Sequence, residues 1–112
     1  MRMINDTLAK IEGRLRAAET VPNERRQELL NLVGTLRAEI HELSKTDHEK
    51  AQSIAGFTDV STHEATRNEP NPDLIKLSLE GLSSSVAGFE KSHPRLVQLV
   101  NTFSTTLSNL GI

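Results

Sequence analysis

The chain has 112 residues, a formal net charge of −2 and no cysteine. This length allows one ordinary domain, which we take to span 1–112. The missing cysteines exclude disulfides, thiolate metal sites and a cysteine nucleophile. The nearly balanced charge offers no basic patch for nucleic acid, and no apolar run is long enough to span a membrane. We therefore expect a cytoplasmic protein with neither a nucleic-acid nor a membrane partner.

The composition is poor in the residues that usually fill a core. Hydrophobic residues make up 36% and aromatic residues 3% of the chain, whereas apolar residues normally approach half of a globular domain. A short chain also buries only a modest share of its surface when it folds alone. We therefore expect a second copy to supply part of the burial.

Apolar residues recur at alternating spacings of four and three in four segments of the chain. Residues at these spacings share one face of a helix. The pattern predicts an all-α fold of two helical hairpins, packed as a bundle or coiled-coil-like assembly that dimerisation completes. The four sets are Ile4, Leu8, Ile11, Leu15 and Ala18; Leu29, Val33, Leu36, Ile40 and Leu43; Ile75, Leu79, Leu82, Val86 and Phe89; and Leu96, Val100, Phe103, Leu107 and Leu110.

The first hairpin is predicted over 3–57. A short link at 19–21 makes its two helices antiparallel neighbours, and Pro22 suits the first turn of the second helix. That helix is expected to continue beyond Leu43, because no proline or glycine interrupts the chain before Gly56.

A connector is predicted over 58–71, where no apolar stripe is present. The sequence STHE at 61–64 matches a capping box, so a short helix over 62–67 is an alternative. Asn71 is a suitable N-cap and Pro72 a suitable first residue for the next helix. The second hairpin is therefore predicted over 72–112.

Small residues form a second stripe on the third long helix. Ser78, Gly81, Ser85 and Gly88 follow the same spacing, although glycine inside a helix costs up to about 1 kcal/mol relative to alanine. This stripe favours a close helix–helix approach over a merely solvated face.

The last helix is almost free of charge. Arg95 is the only charged residue between Pro94 and Leu110, and uncharged polar side chains suit a covered surface that still forms hydrogen bonds. We therefore expect this helix to lie centrally, against a second copy. The predicted interaction residues are Ser78, Gly81, Ser85, Gly88, Leu96, Val100, Phe103, Leu107 and Leu110.

His93 lies between two helical segments and directly before Pro94. Residues before proline avoid the α conformation, so His93 is expected at the N-cap of the last helix. A chemical role would need a nucleophile or carboxylate aligned with the ring, and the corner separates His93 from Glu90. We therefore interpret His93 as a structural corner.

The remaining histidines, His41, His48 and His63, leave one alternative open, which is a metal-binding or small-ligand-binding helical protein. His41 and His48 are seven residues apart, which is about 10 Å along a helix and too far for one ion. No phosphate-binding loop follows a strand. Since no base is placed beside a nucleophile, we expect no catalytic residue, no cofactor and no enzyme activity.

Several segments resemble a family of small bacterial proteins known as domain of unknown function 4404. The resemblance is carried by HEATR at 63–67, FEKSHP at 89–94, LSNLGI at 107–112 and, less specifically, ELLNLVGTLRAEIHEL in the first hairpin. It implies a helical protein without an assigned activity and supplies no catalytic residues. Together with the residue patterns, it favours a non-enzymatic helical interaction or structural protein that self-associates, with another protein as a further possible partner.

Overall fold

The protein is described here by a computed structural model, which covers residues 2–110. This part of the chain is all-α, as predicted, and contains no strand. Its helices are α1 (Arg2–Ala17), α2 (Asn23–Ser44), α3 (His48–Thr66), α4 (Pro72–Ser85) and α5 (Pro94–Leu110). None of these helices is long and apolar enough to cross a bilayer.

Helix α3 lies at the centre of the fold and contacts the other four helices. Around it, α1 contacts α2, α2 contacts α5, and α5 contacts α4. Within residues 2–110, α1 and α4 make no contact with each other. The four outer helices therefore form an incomplete ring that leaves one side of α3 open. The expectation that the last helix is central is wrong, because α3 takes that position.

The predicted extension of α2 is also wrong. Helix α2 ends at Ser44, and the Asp47 side chain caps a new helix by accepting a hydrogen bond from the backbone N–H of Lys50 (3.1 Å). The new helix, α3, passes through Gly56 and ends at Thr66. A short polar N-cap, rather than a proline or glycine, separates the two helices.

The predicted connector at 58–71 is mostly the second half of α3, and only 67–71 joins α3 to α4. The buried face of α3 was overlooked because most of its residues are small: Ala51, Ile54, Ala55, Thr58, Ser61, Thr62 and Ala65. Two of its hydroxyls bond to carbonyls one turn earlier, Thr58 to Ile54 (2.7 Å) and Thr62 to Thr58 (2.8 Å). These bonds satisfy the hydroxyls of Thr58 and Thr62 in the core, whereas the buried Ser61 Oγ has no hydrogen-bond partner within residues 2–110.

The apolar stripes form the core as predicted. Every residue of the first two stripes is buried, while Leu79, Phe89 and Leu110 in the other two are partly buried. The chain exposes 6414 Å², close to the ~6100 Å² expected of a folded monomer of its mass, 12.4 kDa. The core that these stripes form is therefore assembled within one chain.

Helix α4 is shorter than predicted, because it ends at Ser85 rather than continuing to Phe89. Asn71 caps its start as predicted, accepting hydrogen bonds from the N–H groups of Asp73 (3.0 Å) and Leu74 (3.3 Å). Beyond its end, Gly88 has a φ of 96°, which a side chain rarely allows. Gly88 thus belongs to the turn between α4 and α5.

His93 lies just before α5, as the corner interpretation predicts. Its backbone carbonyl accepts a hydrogen bond from the N–H of Val97 (3.3 Å), which makes it the N-cap residue. Its ring nitrogen Nδ1 lies 3.1 Å from Ser92 Oγ, and its ring meets Phe89 edge-on with centroids 5.8 Å apart. These local contacts hold the corner in place.

Candidate interaction surface

The predicted apolar interaction residues lie inside the chain. Leu96, Val100, Phe103 and Leu107 are fully buried, and Leu110 is partly buried against the core. A second copy cannot reach the four fully buried side chains while the fold is intact. A surface for a partner must therefore be sought on other residues.

The predicted small stripe contains one close approach, at Gly81. A Cβ on this residue would lie against Cε1 of Phe57 and 2.7 Å from its Cδ1. The close contact thus joins α4 to α3 within one chain. Gly88 makes no such contact, since a Cβ there would meet nothing within 4 Å.

The two serines of the stripe bond to their own helix. Ser78 is buried and donates to the carbonyl of Ile75 (2.9 Å), while Ser85 donates to the carbonyl of Leu82 (2.6 Å). Neither hydroxyl is therefore available as a free donor for a partner.

The open side of the ring exposes large apolar side chains that the sequence analysis did not select. The exposed fractions are 41% for Phe57 and 47% for Val60 on α3, and 39% for Leu74 and 65% for Leu77 on α4. Each pair is one helical turn apart, so its members share a side of the helix. We call these four residues, with Gly81, the α3–α4 face.

The contact between Phe57 and Gly81 fixes how the two halves of this face are aligned. Helices α3 and α4 are joined by the short link 67–71 and are antiparallel neighbours. Phe57 lies opposite Gly81, and the two helices run in opposite directions. Three residues forward from Phe57 along α3 therefore correspond to three or four residues back from Gly81 along α4. Val60 and Leu77 are therefore level with each other on the exposed surface.

Charged residues border the face on both sides. On α1, Arg14 pairs with Asp59 of α3 (Nε–Oδ1 2.8 Å) and Lys10 lies 3.9 Å from the same carboxylate. On the far side of α4, Lys76 and Glu80 are exposed and one turn apart. An apolar centre with a charged rim is the usual anatomy of a protein interface.

His63 belongs to the polar network that joins α1 to α3. Its Nδ1 lies 3.2 Å from Arg14 Nη1, and because arginine only donates, this ring nitrogen is the acceptor. Glu64 lies 3.9 Å from His63 Nε2 and forms an ion pair with Arg67 (3.0 Å). An open pocket of about 550 Å³ adjoins Arg14, His63 and Arg67. Each charge of this network already has a partner of opposite sign or a ring nitrogen.

The histidines do not converge. His48 and His63 are at opposite ends of α3, which separates them by about 22 Å along the helix. His41 belongs to the last turn of α2. Across residues 2–110, no group of three or more His, Cys, Asp or Glu residues is arranged to hold a metal ion.

One exposed carboxyl has a perturbed acidity. Lys45 Nζ lies 2.8 Å from Glu42 Oε2, and this hydrogen bond and the lysine charge lower the pKa of Glu42 below its usual 4.5. The pair lies at the end of α2, outside the α3–α4 face.

Two further surfaces lie on α5. Its uncharged polar face, which was expected to lie against a second copy, is exposed in the single chain and consists of Gln98, Asn101, Thr102, Thr105 and Asn109. Between α4 and α5, a groove of about 550 Å³ is lined by Ile75, Leu79 and Ser108 among others. Both surfaces expose less large apolar side chain than the α3–α4 face, where Leu77 is 65% exposed.

Comparison with known proteins gives a family but no further relative. A family model described as Domain of unknown function (DUF4404) matches residues 33–112. The match begins within α2 and includes α3, α4 and α5, and therefore both helices of the α3–α4 face. No curated protein and no solved structure matches the chain.

Proposed function

The chain belongs to the DUF4404 family, and since that description carries no activity, we propose from the structure that the protein is a non-enzymatic interaction module that self-associates. The single observation behind the proposal is the α3–α4 face. Four large apolar side chains are exposed together on the side of α3 that the ring of helices leaves open. Apolar side chains grouped in this way typically mark a protein interaction site.

The exposed parts of these side chains add nothing to the core of a folded monomer. Val60 could be smaller or polar without loss of core packing, because the buried face of α3 is formed by other residues, whereas Phe57 packs part of its ring against Gly81. Covering a large apolar side chain releases about 1.5–3 kcal/mol. Four partly exposed side chains, and the same four on a partner, provide a driving force for association.

A second copy is the partner that best fits the face. The surface is apolar at its centre, so its self-contact buries no unpaired charge. A two-fold dimer also places the same patch on both sides, and its formation needs no other component. Binding of metal or a small ligand by the histidines has no comparable arrangement in support, because residues 2–110 contain no group of three or more potential ligand residues arranged to hold a metal ion.

The proposal is tested by charge insertion into the face. Leu77→Asp and Val60→Asp should each reduce the affinity between copies by at least about tenfold, because a carboxylate would be buried without a partner. Asn101→Asp on the exposed face of α5 is the matched control, since it introduces the same group at an exposed site elsewhere. Sedimentation equilibrium measures the affinity, and circular dichroism verifies that each variant is folded.

Two results would overturn the proposal. One is a wild-type chain that is monomeric at every accessible concentration. The other is association that Asn101→Asp weakens while Leu77→Asp and Val60→Asp leave it unchanged. The second result would move the interface to α5.

A further inference from the structure

We propose that two copies pack their α3–α4 faces together with α4 antiparallel to α4 of the partner, so that Leu77 and Val60 lie beside the two-fold axis and Lys76 of each copy pairs with Glu80 of the other. This inference rests on the proposed self-association and specifies its geometry. The partner is a second copy of the chain, and the α3–α4 hairpins of the two copies together form a four-helix interface.

The position of the axis follows from the alignment of α3 and α4. The contact between Phe57 and Gly81 sets Val60 level with Leu77. These are the most exposed apolar residues of their helices within the face, at 47% and 65%. An axis that passes near both brings each into contact with its own copy and buries the largest exposed apolar surface.

The direction of α4 follows from its charges. Residue 76 is basic and residue 80 is acidic, and the two are exposed on the same side of the helix. In an antiparallel pair centred at Leu77, Lys76 of one copy lies near Glu80 of the other, and symmetry repeats the pair. A parallel arrangement would instead oppose Lys76 to Lys76 and Glu80 to Glu80, which is unfavourable.

Leu74 and Gly81 also suit the antiparallel pairing. They lie three residues before and four residues after Leu77, so the antiparallel register places Leu74 of one copy near Gly81 of the other. The ring of Phe57 lies on Gly81 and is 41% exposed, so it supplies the surface that Leu74 would contact.

Cysteine cross-linking tests the axis directly, because the chain has no cysteine of its own. Leu77→Cys should form a disulfide-linked dimer under mild oxidation, since residues beside a two-fold axis approach within bonding reach. Ser84→Cys is the matched control. It is exposed and one heptad from Leu77 on the same side of α4, yet in the proposed dimer it would lie about 21 Å along the helix from its copy.

Charge reversal tests the direction of α4. Lys76→Glu alone and Glu80→Lys alone should each weaken the homodimer roughly tenfold, because two attractive pairs become repulsive. An equimolar mixture of these two variants should regain the wild-type affinity as a heterodimer. The double variant with both reversals should also behave like the wild type. Sedimentation equilibrium at low ionic strength measures all four affinities.

The outcomes separate this inference from the proposed function. Suppose that the wild type is a dimer and Leu77→Cys alone does not cross-link, but a mixture of Leu77→Cys and Val60→Cys does. This result would overturn the antiparallel arrangement of α4 and leave the proposed self-association intact. If neither charge reversal changes the affinity between copies, the Lys76–Glu80 pairing is wrong. A wild-type monomer would reject the proposed function itself. Efficient cross-linking of Leu77→Cys, little of Ser84→Cys, and rescue in the mixture support the inference.

Discussion

Helices α3 and α5 distribute their side chains in opposite ways. Helix α5 buries Leu96, Val100, Phe103 and Leu107 and exposes small uncharged residues. Helix α3 buries mostly alanine, serine and threonine and exposes Phe57 and Val60. The difference follows from position, because α3 has four neighbours and α5 lies in the outer ring. Small side chains let four helices approach one central helix.

The comparison also explains why the face exists. With its inner side occupied mostly by small residues, α3 exposes Phe57 and Val60 toward the side that the ring of helices leaves open. Helix α4 adds Leu74 and Leu77 at the same edge. Exposing an apolar surface to water costs free energy, and contact with a second copy would remove that cost.

The largest expected effect compares two of the three phenylalanines, one in α5 and one in α3. Phe103→Ala in α5 should lower the free energy of unfolding by about 3–5 kcal/mol, because it removes a fully buried ring. Phe57→Ala in α3 should cost only about 1 kcal/mol in the monomer, since that ring is 41% exposed. Urea denaturation at concentrations that keep the chain monomeric measures both. Equal losses of unfolding free energy in the two variants would contradict the different roles of Phe103 in α5 and Phe57 in α3.

The next effect tests the need for small residues on α3. Ala55→Leu should destabilise the fold by about 1–3 kcal/mol, because this residue is buried between helices and three more carbons exceed the small pocket of about 50 Å³ beside it. Gly56→Ala, at the next residue, is the matched control. Its new Cβ would meet nothing within 4 Å, so it should stabilise the helix by up to about 1 kcal/mol. Thermal unfolding of both variants checks the contrast, and a harmless Ala55→Leu would refute it.

A smaller effect concerns the start of α3. Asp47→Ala should cost about 1 kcal/mol, because it leaves the N–H of Lys50 without its side-chain acceptor. Asp47→Asn should retain most of the stability, since asparagine also caps well. If Asp47→Ala were as stable as wild type, α3 would not depend on this cap to begin separately from α2.

The smallest effect lies outside both helices. Lys45→Met should raise the pKa of Glu42 toward its usual value, because the hydrogen bond and charge of Lys45 keep it low. A lowered folded-state pKa adds stability above the unfolded-state pKa, and this stability is lost as the pH falls through the folded value. The side chain is exposed, so the change in stability should be slight. An NMR titration of the Glu42 carboxyl checks it, and an unchanged pKa would assign the shift to another group.

Much of the fold was predictable from the sequence. The stripes at three and four spacing identified the buried faces of α1, α2, α4 and α5, and Asn71 and His93 marked the starts of α4 and α5. Helix α3 was not identified because its buried face lacks large apolar residues, the signal on which helix periodicity relies. The same spacing is present in its alanines and threonines, so a search for small residues at helical spacing would have found it.

The interaction surface was predictable only in part. The contact at Gly81 was expected as a helix–helix approach and is found between α4 and α3. Gly88 followed the same spacing but serves a turn with positive φ, which spacing alone does not reveal. Phe57, Val60, Leu74 and Leu77 lie off the main stripes, and their exposure depends on which helices are neighbours. That information comes from the tertiary arrangement.

The measurement that most directly tests the central claim is the molar mass in solution, by light scattering behind a sizing column across a dilution series. We predict a mass near twice the chain mass of 12.4 kDa at high concentration, with a shift to the single-chain mass for Leu77→Asp. A wild-type mass of one chain at every concentration would contradict it, and the α3–α4 face would then have no role in self-association.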